Sequence, residues 1–212
     1  MLYLKSFTFN PFQENTYVLY TDEGHAWIID PGNSNNEENT QLRDFIVEKK
    51  LVPEKLLLTH GHIDHVLGNR FIFDTYGLLP EANEADLFFI KRMVESGAMY
   101  GVSCEASPLP EKFISDGDEI QLGKYKFSCM AAPGHSPGSI CYYNAENKLL
   151  ISGDVLFRGS IGRSDLPLGD HSTLMSSITT RLLPLPDDVK VYSGHGDPTT
   201  IGFERFNNPF LT

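Results

Sequence analysis

Residues able to do chemistry crowd into one stretch. Thr59-His60-Gly61-His62-Ile63-Asp64-His65 follows directly on the apolar run Leu56-Leu57-Leu58. Imidazole and carboxylate are the side chains that hold zinc or iron. Three histidines and an aspartate within six positions are more polar groups than a strand end otherwise carries. Gly61 permits a tight turn, so that His60 and His62 can converge on one point. Asp64 and His65 fall near the start of an apolar-periodic segment (Val66, Leu67, Phe71, Ile72), where a helix could aim them at a second point. Four donors this close are too many for one open metal site. The spacing predicts two metals, and with them further ligands from distant strand ends.

Three later segments repeat the design of apolar run, glycine turn and potential ligand. Phe127 to Gly134 leads to His135, Leu149 to Gly153 leads to Asp154, and Val189 to Gly194 leads to His195. Five of the seven histidines therefore sit at strand ends beside glycine or other candidate ligands, a placement that chance explains poorly. His25 lies in a hairpin with no partner ligand near it, so a structural or solvent-exposed role is assigned. His171, in Gly169-Asp170-His171-Ser172 at a helix start, either touches substrate or makes a local hydrogen bond.

The elements that must position these groups follow from periodicity and turn chemistry. Strands are expected over residues 2–9, 15–20 and 25–29, with Thr21-Asp22-Glu23-Gly24 as a hairpin turn and Asp30-Pro31-Gly32 as a stop. Leu42, Phe45 and Ile46 mark one face of a helix within 38–50, and Pro53 closes that unit. A helix over 66–76 ends at Gly77. A second opens at Asn83-Glu84-Ala85-Asp86 and carries Leu87, Ile90 and Val94 on one face. Residues 97–110 read as a loop, either a lid over the site or plain surface. A hairpin over 119–130 turns at Gly123-Lys124, and strands follow at 139–143 and 149–151. A helix is expected from 172 to 182, a short strand at 189–192, and a final helix at Pro198-Thr199-Thr200-Ile201, where proline suits a first turn. Strands lead to helices in both halves, which fits two sheets packed face to face with helices outside. With neither linker nor low-complexity segment, one domain over residues 1–212 is the simplest organisation.

Composition bounds the function. A chain of 212 residues with 41% apolar residues can bury a substantial core. A formal charge of −11 leaves no basic stripe for nucleic acid or an anionic membrane. Cys104, Cys129 and Cys141 are odd in number and widely spaced, so free thiols in a reducing compartment are expected. The N-terminus has no basic region followed by an apolar core, and no stretch approaches a membrane span, so a cytoplasmic location is expected.

The ligand-bearing segments together resemble the metallo-β-lactamase-fold hydrolases, and within them the glyoxalase II-like (hydroxyacylglutathione hydrolase-like) branch. The matching pieces are Thr59 to His65, Pro133-Gly134-His135-Ser136-Pro137-Gly138-Ser139, Ser152 to Phe157, and Ser193-Gly194-His195-Gly196, in the family's order. The resemblance implies an α/β fold, an αββα sandwich of two packed mixed sheets with helices outside and the metals at one edge. It implies one metal held by His60, His62 and His135, a second held by Asp64, His65 and His195, and Asp154 bridging both. Zinc is the expected ion, with iron or manganese as alternatives. Asp64 and Asp154 are the expected catalytic carboxylates; Asp64 is assigned direct ligation in preference to proton carrying.

Two metals about 3.5–4 Å apart can lower the pKa of a shared water toward about 7, supplying hydroxide at neutral pH, and can polarise a substrate carbonyl. A thiolate leaves without protonation because thiol pKa values lie near about 8.5, so small thioesters such as S-lactoylglutathione are the expected substrates, with other esters or lactams beside them. The chain is expected to lack the C-terminal helical region that supplies much of the glutathione grip in full-length glyoxalase II-type enzymes. Arg163 stands where those enzymes have a basic glutathione contact, but Asp165 replaces the aromatic contact two residues on. Arg163 either meets a substrate carboxylate or pairs with a nearby acid. The Gly162-Arg163-Ser164-Asp165 segment also resembles the persulfide dioxygenases of the superfamily, which use a single iron, so an oxygenase is the alternative reaction class.

Overall fold

Strands buried on both faces organise the molecule, whose computed structural model describes residues 1–211. Six strands form the first sheet in chain order: β1 (Leu2–Phe9), β2 (Glu14–Thr21), β3 (His25–Ile29), β4 (Val52–Leu57), β5 (Pro80–Ala82) and β6 (Lys112–Phe113). β1 to β3 pair antiparallel, and β3 to β6 run parallel. The second sheet takes β7 (Glu119–Leu122), β8 (Tyr125–Ala131), β9 (Ile140–Asn144) and β10 (Leu149–Gly153). Beyond a small hairpin of β11 (Leu156–Phe157) and β12 (Ser160–Ile161), it is completed by β13 (Lys190–Ser193) and β14 (Thr199–Thr200). Its spatial order is β14-β13-β10-β9-β8-β7, with β10 and β13 parallel. Both sheets are mixed, and helices cover their outer faces.

The period-2 alternation of side chains sorts each strand into two apolar layers. Leu19, Trp27, Ile29 and Leu57 point inward from the first sheet and meet Phe127, Tyr142 and Ile151 from the second. Their neighbours Val18, Ile28 and Leu56 point outward, onto Leu42 and Ile46 of α1 (Asn36–Glu48) and Ile72 of α2 (Asn69–Tyr76). On the far side, Cys141, Leu150 and Val191 pack on Leu174 of α5 (His171–Ser177) and on Ile178 and Leu182 of the π-helical turn that follows it. The αββα sandwich expected from the sequence is the observed architecture. All three cysteines are free, Cys129 and Cys141 being buried. Among the described residues no helix is long and apolar enough to cross a membrane.

Several boundaries differ from the sequence reading. A 3₁₀ turn at Ile63–His65 precedes the segment expected as helix from residue 66, and α2 starts only at Asn69; its end at Gly77, in the left-handed region (φ 71°), is as expected. The helix expected from residue 83 breaks at Arg92 into α3 (Leu87–Lys91) and α4 (Met93–Tyr100). The break changes the helical phase, so Met93 is buried in place of Val94, which is exposed. α4 also consumes the first part of the expected 97–110 loop. At the C-terminus Pro198 precedes β14, and Thr200 caps α6 (Ile201–Asn207) by accepting from the Phe203 N–H.

Candidate metal centre

The donors arrive on four turns at one edge of the sandwich. His60, His62, Asp64 and His65 follow β4, His135 lies between β8 and β9, and Asp154 and His195 follow β10 and β13. Cross-sheet bonds hold these turns together: the Tyr142 hydroxyl donates to the Leu58 carbonyl at 2.7 Å, and that of Tyr17 to the Ser193 carbonyl at 2.6 Å. Glycine is required where the turns meet. A Cβ on Gly194 would stand 2.1 Å from Asp154 Oδ1 and 2.6 Å from His65 Cε1, so any larger residue would push the donors apart. Gly153 combines φ +50° with a Cβ position 2.3 Å from Thr59 Oγ1.

Two donor sets result. His135 Nε2 lies 2.8 Å from His62 Nδ1 and 3.2 Å from His60 Nε2. His195 Nε2 lies 3.1 Å from Asp64 Oδ2, and His65 Nε2 lies 3.7 Å from the same oxygen. Asp154 stands between them, with Oδ1 3.4 Å from His65 Nε2 and Oδ2 3.6 Å from His135 Nε2 and 3.5 Å from His195 Nε2. All seven expected ligands thus gather in two groups of three with one carboxylate between.

The donor atoms themselves argue for ions. His65 Nε2 and Asp154 Oδ1 are buried and make no hydrogen bond, a costly condition for polar atoms unless something else satisfies them. Nitrogens of His60, His62 and His135 at 2.8–3.2 Å, on rings stripped of water, are the arrangement expected around a cation.

On four of the five rings the opposite nitrogen is fixed by a partner, which sets tautomer and orientation; His62 Nε2 is buried without one. His60 Nδ1 contacts Thr59 Oγ1 at 3.1 Å, and that hydroxyl donates to Asp30 Oδ2 at 2.5 Å. His65 Nδ1 contacts the same Asp30 oxygen at 3.0 Å. His135 Nδ1 meets the Arg163 carbonyl at 2.7 Å, and His195 Nδ1 the Gln13 carbonyl at 3.1 Å. Sequence reasoning missed Asp30, having taken it only as part of a strand-ending turn. It also missed Asp86, which is buried and accepts from Gly61 N, Gly138 N and the Ser136 hydroxyl at 2.7–2.8 Å. Asp86 thereby ties the His60–His62 turn to the turn after His135.

Electrostatics separate the two sets. Burial, reinforced by the neighbouring imidazoles, pulls His60 well below the usual histidine range; burial and His135 pull His62 down to about 3. Both are neutral and ready to ligate. Burial also opposes charge on His65, but Asp64, Asp154 and Asp30 outweigh it and raise the imidazole well above its ordinary value. His195 is raised too: burial opposes the charge, and Asp64 and Asp154 prevail. Burial works against ionised Asp64 and Asp154, yet the charge of His65 and its neighbours holds both carboxyls below the carboxylate range.

The centre opens into a cleft of about 910 Å³ lined by both sheet edges and by α3 and α4. Of the residues assigned to substrate, Arg163 lines this cleft, with its guanidinium paired bidentately to Asp165 at 2.8 and 2.9 Å. That pairing holds the Asp165 carboxyl down to about 2. His171 is exposed at the start of α5, its Nδ1 3.4 Å from Ser164 Oγ, and does not line the cleft. His25 pairs with Glu54 at 2.5 Å, away from the centre.

Comparison with known proteins gives three findings. Residues 9–195 match the family model for the metallo-beta-lactamase superfamily. The chain is 42% identical over 202 residues to the hydroxyacylglutathione hydrolase GloC of Haemophilus influenzae, covering 94% of this chain and 93% of that protein. Among solved structures, the BLEG-1 B3 metallo-beta-lactamase is 37% identical with a TM-score of 0.91, over 99% of this chain and all of that one; TTHA1623, in a di-iron-bound form, is 37% identical with a TM-score of 0.88, over 98% and 100%.

Proposed function

The chain belongs to the metallo-beta-lactamase superfamily and is a metallohydrolase, and from that premise we propose that it cleaves small thioesters, S-lactoylglutathione among them, with two divalent ions. The observation that carries this reading is the convergence of two complete donor sets on either side of Asp154. His60, His62 and His135 would hold one ion, Asp64, His65 and His195 the other, and Asp154 would face both. Bound there, two ions supply an activated water at neutral pH and a Lewis acid for the scissile carbonyl.

The chain's own groups do the rest. Asp154 sets Oδ1 near His65 of the second set and Oδ2 between His135 of the first set and His195 of the second, so one carboxylate faces both. Asp64 faces His195 across 3.1 Å and belongs to the second donor set, with proton carrying as its lesser role. Protonating an amine leaving group would fall to Asp64, since the histidines of the centre are committed as donors. A thiolate needs no such acid, which favours thioesters over amides. The name of the Haemophilus relative points the same way. Zinc is the ion first expected; the di-iron form of a structural neighbour makes iron the second.

The test is free-thiol release from S-lactoylglutathione by zinc-loaded and iron-loaded protein, each beside a chelated control. Rapid metal-dependent release is expected. Release no faster than in the chelated control with either metal would sink the assignment.

A further inference from the structure

The face that α3 and α4 turn toward the cleft has little to offer a charged substrate. Phe88, Arg92, Glu95, Ser96 and Met99 line the cleft at helical spacing, while Ile90, Met93 and Gly97 are buried in the core. The two charges on that face cancel: Arg92 bonds Glu95 at 2.8 Å and lies over the Phe88 ring at 5.0 Å. Apolar surface remains, with Met99 83% exposed, Tyr100 54% and Phe88 44%. Three such side chains left open together mark a binding surface more often than idle exterior. Phe89 carries this wall to the metal centre, its ring edge-on to His62 at 4.7 Å. Phe12, from the turn after β1, meets Tyr100 edge-on at 5.8 Å and roofs the same space.

The other two arginines of the cleft are also matched. Arg163 is clamped by Asp165, and Arg158 lies 3.6 Å from Asp197 and 5.9 Å from the Phe203 ring centre. A substrate gripped by its carboxylates would have to displace these acids, whereas an apolar group meets an open surface continuous with the reacting centre.

We infer that the wall formed by Phe88, Phe89, Met99 and Tyr100 binds an apolar substituent of the substrate and makes the enzyme selective for thioesters that carry one. The inference rests on the thioester reading for its reaction, but not for its binding surface. Each methylene moved from water onto such a wall is worth about three- to fourfold, so four additional methylenes should yield about tenfold or more even if only part of the area is covered.

Two substrate series separate the side of the scissile bond involved. Acetyl-, butyryl-, hexanoyl- and phenylacetyl-glutathione vary the acyl group at a fixed thiol. Acetyl thioesters of glutathione, 2-mercaptoethanol and benzyl mercaptan vary the thiol at a fixed acyl group. About a tenfold rise in kcat/KM along one series is expected, and the double variant Phe88→Ala, Met99→Ala should flatten that rise. Binding is read without turnover by calorimetry of acetate, hexanoate and benzyl alcohol on metal-loaded protein; hexanoate or benzyl alcohol should bind about tenfold more tightly than acetate, with a loss of that margin in the double variant. Flat series together with equal affinities would overturn the inference. Absence of turnover for every thioester, with the affinity margin and its loss intact, would sink the thioester reading and leave the apolar wall standing.

Discussion

At the residue scale, the centre depends on atoms that never face a metal. Asp30 accepts from Thr59 N at 2.6 Å, from its hydroxyl, and stands 3.0 Å from His65 Nδ1. One carboxylate thus orients a ligand of each set, His60 through the Thr59 hydroxyl and His65 directly. Outer partners of this kind are worth about 10- to 100-fold in metal affinity. Asp30→Asn should therefore weaken zinc by about that factor, read by competition with a chromophoric chelator, while Asp44→Asn on the exposed face of α1 should leave it unchanged. An Asp30→Asn protein with wild-type affinity for both ions would remove Asp30 from the account. The candidate donors were legible in the sequence because each follows an apolar run and a turn. Asp30 was not, because Asp-Pro-Gly after a strand reads as ordinary turn chemistry. Its acceptor role comes from β3 and β4 lying side by side, which places Thr59 and His65 against it.

At the element scale, the turns after β4 and β8 come from different sheets and must keep register. Asp86, in the 3₁₀ turn before α3, spans them with three hydrogen bonds and no exposed surface. Burial raises its carboxyl, and the Ser136 hydroxyl and the Gly61 and Gly138 N–H groups pull it back. Asp86→Ala would leave those buried donors unsatisfied, at about 1–3 kcal/mol each before relaxation. A loss of about 3 kcal/mol in chemical denaturation is expected, with a looser His62–His135 pairing and weaker binding at that set. Unchanged stability would mean that the turns hold register without it. The same region shows where periodicity stops informing. Apolar residues at 87, 90 and 94 fit one continuous helix, but the irregular backbone at Arg92 restarts the phase and brings Met93 and Gly97 inward. No glycine or proline at position 92 marks the break.

At the scale of the whole molecule, the three apolar layers predict a stable sandwich, while the turns that carry the candidate ligands bring polar groups of both sheets together at one edge. Ions bound there would cross-link β4, β8, β10 and β13 and stabilise only the folded chain. At free metal about 100 times the dissociation constant the linkage is worth about 2.7 kcal/mol for one site, so chelation should lower Tm by several degrees. The size of that drop should depend on pH. In the metal-free protein His65 and His195 hold protons above the ordinary histidine range, which adds stability below the unfolded pKa near about 6.5 and loses it as pH rises through the higher folded value. Metal must displace those protons, so its stabilisation is fullest above the raised values and shrinks as pH falls. Acidification from about pH 8 to about pH 6, a window that brackets the unperturbed histidine value, should therefore cost the metal-loaded protein more stability than the chelated one, in which the protons held by His65 and His195 offset the cost of keeping His60 and His62 neutral. The gap between their Tm values should narrow, and His195→Ala should make it less sensitive to pH. A gap that widens on acidification would show that the second donor set binds its ion without releasing protons, and the charge assignment for His65 and His195 would be wrong.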